Sequence, residues 1–225
     1  MGEARAVSVA VQDGVLDATL GVPDHARGLV VLAQETGTGR LLEKHRALVR
    51  RLQEHGLGTL LVQLLTEEED ESERWTRHLR LDEDETEART RFLKREVSVF
   101  TDRLLAVSAW VERTLPLSRA YFGASTAAAA ALTAAARTAD VAAVVSQEGC
   151  VDLAADCLPA VRAPTLFLVG PEDGSVLERH RSALKALRCP VDLRLVPGPT
   201  VSSDDPAVLD AVADWYDRYI TGPQP

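Results

Sequence analysis

The chain has 225 residues, a formal net charge of −9 and 46% hydrophobic residues, which fits one core-forming domain over 1–225. An acidic balance without a Lys/Arg stripe excludes a phosphate-backbone partner, and no apolar run is long enough for a bilayer, so neither nucleic acid nor membrane is expected as a partner. Cys150, Cys157 and Cys189 show no metal-ligand spacing, which implies free thiols, a reducing cytoplasmic setting and no metal, and residues 1–10 lack the character of a signal peptide.

Val7, Val9 and Val11, then Val15, Leu16 and Leu20, alternate around Gln12-Asp13-Gly14 and predict a hairpin. Gly28 to Ala33 is a continuous apolar run, expected for a strand covered on both faces, and it stops at the polar loop Gln34 to Gly39. Helical spacing follows over Arg40–His55, ended by Gly56, and a second buried strand runs from Leu57 to Leu65. The stretch 66–91 is strongly charged and reads as solvated surface, or as a lid whose Trp75, His78 and Leu79 close over a pocket. Helical spacing resumes from Phe92 to Val111, with Pro116 beyond its end.

Ala120-Tyr121-Phe122-Gly123-Ala124-Ser125-Thr126-Ala127 then meets an alanine-rich run to Ala136, which reads as strand, sharp turn and helix. Gly-x-Ser-x-small in that setting is the pattern of a nucleophile elbow, in which a strained turn exposes a serine hydroxyl and the flanking positions must be small. The Thr126 N–H would supply half of an oxyanion hole at the helix N-terminus. The bland alternative is a buried strand-turn-helix with an idle serine. Further strands are expected at Val141–Ser146, ending in Gln147-Glu148-Gly149-Cys150; at Thr165–Val169, ending in Gly170-Pro171-Glu172-Asp173; and at Val191–Val196. Helices are expected over Val176–Leu187 and Ala207–Ile220, and strands alternating with helices predict an α/β fold with a mostly parallel sheet and a pocket at its C-terminal edge.

Taken together, Gly28–Gly39, Leu64-Leu65-Thr66, the Ser125 elbow, Asp152-Leu153-Ala154, Val161–Leu166 and Val196-Pro197-Gly198 resemble the α/β-hydrolase fold, and within it the dienelactone-hydrolase-like group of small bacterial enzymes. The resemblance implies a nucleophile at Ser125, an acid after the strand Thr165–Val169, met by Asp173, and a histidine after the last strand. That histidine is missing: Val201 stands in its place, and no histidine follows His180. Without an imidazole the serine lacks a base, and loss of a triad member costs orders of magnitude in rate.

Other departures cluster at the same sheet edge. Gln34-Glu35 replaces a His-Gly that the resemblance leads one to expect, Gln63 replaces an acid, and Glu148 replaces a glycine. A carboxylate at Glu35 would repel a developing oxyanion. The reading that follows is an enzyme turned to non-hydrolytic acid/base chemistry of the lyase, cyclase or isomerase type on a small, largely apolar metabolite. Glu35 and Glu148 would be its acid/base pair, joined by Ser125 and Asp173, with Gln34, Gln63, Thr126, Cys150 and Val201 lining the substrate. A serine esterase or lactone hydrolase with a substitute base, His78 included, is one alternative. An inactive binding or scaffold protein is another, in which Asp173 only caps a helix, Glu148 faces solvent and Cys150 is a small buried residue. No organic cofactor signature is present, a small molecule is the expected partner, and a homodimer is compatible with the composition.

Overall fold

The computed structural model describes residues 4–35, 40–69, 86–171, 174–198 and 201–221. The valine alternation becomes strand β1 (Arg5–Val11), which pairs antiparallel with β2 (Gly14–Gly21), so that Val9 and Leu16 lie opposite each other and both are buried. The apolar runs become β3 (Leu29–Gln34), β4 (Gly58–Gln63), β5 (Arg119–Ala124), β6 (Val141–Gln147), β7 (Thr165–Val169) and β8 (Val191–Leu195). They form one sheet in the order β1-β2-β4-β3-β5-β6-β7-β8, parallel throughout from β4 to β8. The α/β-hydrolase architecture anticipated from the sequence is the one observed.

Helices α1 (Arg40–Glu54), α2 (Thr86–Thr114), α3 (Ser125–Arg137), α4 (Gly174–Ala186) and α5 (Pro206–Tyr219) cover the sheet among the described residues. Because strand side chains alternate between faces, Leu29, Val31 and Ala33 of β3 join the core under α2, α3 and α4. Val30 and Leu32 join the core under α1 and α5. Burial of both faces explains why the parallel strands read as unbroken apolar runs. Helix α3 is almost wholly buried from Thr126 to Ala135, and its alanines let its backbone lie close on the sheet.

Two sequence expectations change at the charged segment. Helix α2 begins at Thr86, well before the first apolar position at Phe92, and Phe92 is 59% exposed. Its core contacts start at Val97, so helical periodicity in the sequence marked only the buried part and missed a solvated N-terminal extension. At the other end, Thr66 and Glu69 form a reciprocal cap: the Thr66 N–H donates to Glu69 Oε2 (2.9 Å), and the Glu69 N–H donates to Thr66 Oγ1 (3.4 Å), starting a helix at 67. The rest of the anticipated lid, 70–85 with Trp75 and His78, lies outside the described residues.

Arg103 of α2 ties this corner together. Its guanidinium is 3% exposed and donates to the Leu64 carbonyl (2.6 Å), to Glu69 (2.6 Å) and to Asp13 in the hairpin turn (2.5 Å). Hydrogen bonds from Arg103 hold the Asp13 and Glu69 carboxyls below the usual carboxylate range. No described helix is long and apolar enough to cross a membrane.

Candidate functional site

Strand β5 passes into α3 with no intervening loop, and the turn residue is Ser125, exposed and in the left-handed region at φ 51°. That conformation is unfavourable for a side chain with a Cβ, and it holds here because both flanking elements are fixed in the core. Gly123 makes the turn feasible: a Cβ there would lie 2.8 Å from the Ala127 carbonyl group and from the Ala128 nitrogen. Only a hydrogen fits between the end of β5 and the first turn of α3. Ala127, 1% exposed, is the small residue on the other side of the serine.

The helix N-terminus is already engaged. Ala124, its N-cap, offers no side-chain cap, and Glu35 at the end of β3 takes over that task. Glu35 Oε1 accepts from the Ala127 N–H (2.9 Å) and from the Thr126 hydroxyl (2.6 Å), placing a carboxylate on the positive end of the helix dipole. Thr126 is buried and serves as the donor. A negative charge held there opposes the development of a second one on a substrate oxygen beside Ser125.

Cys150 completes the elbow. Its N–H donates to the Ser125 carbonyl (3.0 Å). Burial pushes the Cys150 thiol above its ordinary value, with the carboxylates of Asp152 and Glu35 adding to the rise. The serine's neighbour is therefore a neutral thiol, a poor proton acceptor near pH 7.

Glu148 follows β6 as Ser125 follows β5, and the residues before them, Gln147 and Ala124, are register partners. Glu148 is also left-handed, at φ 45°, and is partly exposed. Its Oε1 comes within 3.2 Å of where a Gly170 Cβ would stand, and Val201 Cγ2 lies 3.9 Å from that same point. Glu148 and Val201 thus both border Gly170 at the end of β7. Asp173 lies outside the described residues, as do 36–39 and 199–200.

Gln147 was not singled out from the sequence. It is 4% exposed, its Nε2 donates to the Val201 carbonyl (2.8 Å) and its Oε1 accepts from the buried Ser203 hydroxyl (2.9 Å). A glutamine closing an otherwise apolar run of β6 was the available signal. Gln34 is likewise buried at the end of β3, where it is the register partner of Gln63 on β4, and its Nε2 has no hydrogen-bond partner among the described residues. His45 packs edge-on against Phe122 and His180 against Phe167; burial lowers the pKa of His180 and favours its neutral form. A cavity of about 470 Å³ lies alongside, between Val151–Ala155 and α4, and is not lined by Ser125, Glu35 or Glu148. Among the described residues no three His, Cys, Asp or Glu side chains converge as metal ligands.

No protein-family model matches the chain. Two Mycobacterium tuberculosis proteins, from strains CDC 1551 and H37Rv and each named "Putative phosphoribosyl transferase", are 37% identical to it over 214 residues. The chain spans only 44% of the length of these curated relatives. Among solved structures, Est1E from Butyrivibrio proteoclasticus (15% identity, TM-score 0.72) and the Pyrococcus furiosus esterase Pf2001 (12%, TM-score 0.71) share the fold. The crystal structure of dienelactone hydrolase from Anabaena variabilis matches 97% of this chain and 98% of its own at 37% identity and a TM-score of 0.80. With that degree of identity over nearly the full length of both chains, the chain belongs to the dienelactone-hydrolase family of the α/β-hydrolase fold.

Proposed function

We propose that this chain binds a small, largely apolar metabolite over the Ser125 elbow and moves protons on it without forming an acyl-enzyme. In this reading Glu148 is the proton-transfer group, Ser125 orients the substrate and Glu35 is a fixed charge that holds the elbow helix. The observation that carries it is the left-handed backbone at both Ser125 and Glu148, on neighbouring strand ends. Each costs on the order of 1–3 kcal/mol, and such conformations cluster where geometry serves a site. The lack of any histidine after His180, the neutral Cys150 thiol and the Glu35 carboxylate on the helix N-terminus all weigh against serine hydrolysis. Abstraction of an activated carbon-bound proton by a carboxylate requires none of the missing groups.

The transferase named in the mycobacterial relatives is not assigned to this chain. The chain matches 98% of a hydrolase-fold structure and only 44% of the length of those relatives, so their named activity is not carried over to it. A second reading, a binding protein without turnover, draws support from Glu35, whose carboxylate is held on the first turn of the elbow helix by the Ala127 N–H and the Thr126 hydroxyl.

The test is deuterium exchange. Small enol lactones and unsaturated carboxylic acids are incubated with the protein in D₂O, and exchange at the activated carbon is followed by proton NMR. The expected result is exchange without hydrolysis, slowed about 10²–10⁴-fold by Glu148→Gln and less by Ser125→Ala. Saturable binding without exchange would establish the second reading, and exchange unchanged in Glu148→Gln would remove Glu148 from its role.

A further inference from the structure

At the opposite edge of the sheet from Ser125, the loops leading into β6, β7 and β8 enclose a cleft of about 600 Å³. Arg137, Arg162 and Arg188 line it together with Thr138, and no acidic residue does. This concentration of positive charge stands out on a chain of net charge −9. We propose that the cleft is a binding site for a small polyanion carrying two or more phosphate or carboxylate groups.

The argument rests on which cations are already neutralised. Arg137 pairs with Asp102 of α2 (2.9 Å), in an exposed geometry that an incoming anion can exchange. Arg162 and Arg188 are exposed and make no ion pair or hydrogen bond among the described residues. The nearest acid in sequence, Asp140, is engaged by Arg119 (2.5 Å) and by the Thr138 hydroxyl. Its carboxylate therefore already has two donors.

The bland account is that Arg137 and Arg188 complement the C-terminal dipoles of α3 and α4, where basic residues are common. Arg162 has no such reason to be there, since it follows the short 3₁₀ turn Leu158–Ala160 rather than a long helix. The two helix C-termini also present carbonyls, which repel anions. Recognition must then come from the guanidinium forks, which favour phosphate and carboxylate groups bidentately and select a ligand with several anionic groups over a monoanion.

The proposal is tested by titrating the ¹⁵N-labelled protein with inorganic pyrophosphate, with citrate and with chloride at matched ionic strength. Saturable shifts confined to residues 137–139, 160–162 and 188–190 are expected from pyrophosphate or citrate and not from chloride. Pyrophosphate alone would identify the ligand class as phosphate esters, and both would identify polyanions in general. The Arg162→Ala/Arg188→Ala variant, whose exposed side chains are dispensable for folding, should weaken binding about 10–100-fold. Arg91→Ala, on the exposed start of α2, serves as the control and should change nothing. Absence of saturable shifts, shifts centred elsewhere, or equal affinity in the double variant would overturn the proposal.

Discussion

Glu35 is where the structure most sharply revises what its residue type suggested. A strand-end carboxylate invites a role as catalytic base, yet Oε1 is bound to the Ala127 N–H and the Thr126 hydroxyl, on a helix whose own N-cap residue is alanine. Hydrogen bonds to a charged group are worth about 1.5–3 kcal/mol, and a carboxylate at a helix N-terminus adds about 0.3–1 kcal/mol. Glu35 is partly exposed, so the lower half of that sum applies. Glu35→Ala should therefore destabilise the protein by about 2–3 kcal/mol, a fall in Tm of about 4–12 °C for a chain of this size. Glu35→Gln keeps an acceptor and loses the charge, so about 1 kcal/mol and 2–4 °C are expected. Thermal unfolding by circular dichroism, with urea midpoints to convert to free energy, measures both. An unchanged or raised Tm in Glu35→Ala would refute the helix-anchor account, because a group held in place for catalysis at the expense of stability is expected to stabilise when removed.

Two further outcomes follow from the packing. Gly123→Ala forces a methyl to within 2.8 Å of backbone atoms of Ala127 and Ala128 that cannot move without shifting α3, so a loss of about 3 kcal/mol or failure to yield soluble protein is expected from thermal melts and expression yield; a near-native Tm would mean that the elbow is looser than described. Arg103→Met removes five hydrogen bonds, to Leu64, Glu69 and Asp13, from a buried guanidinium whose acidic partners are half exposed, and should cost about 2 kcal/mol in urea unfolding. Because Arg103 lowers the pKa of Asp13 and Glu69, their stabilisation is complete above the unfolded carboxylate value of about 4 and is lost as pH falls through the lower folded values. The variant's stability should accordingly fall less than wild type's over that acid range, and parallel pH profiles would contradict the assignment.

Much of the fold was legible because its physics is local. Alternation gave the hairpin, unbroken apolar runs gave the buried parallel strands, and Gly123 before Ser125 located a turn where backbone approaches backbone. The site was legible only as a set of positions. That Glu35 reaches across from β3 to cap α3, or that Gln147 pins Val201 and Ser203, depends on strand order and side-chain direction, and neither is encoded in spacing along the chain. The solvated start of α2 was missed for the complementary reason: a helix that buries nothing leaves no hydrophobic period to read.

The central claim of the proposal is that Ser125 is presented on an intact elbow but has no base to activate it among the described residues. Its most direct measurement is the rate of covalent labelling of the protein by a fluorophosphonate probe, with Ser125→Ala as the blank and p-nitrophenyl acetate turnover followed in parallel. The account predicts labelling and turnover indistinguishable from the Ser125→Ala blank between pH 6 and 9, the range about the reference thiol pKa of about 8.5. Rapid labelling that disappears in Ser125→Ala would contradict it, show that another group takes the serine proton, and return the chain to the serine hydrolases.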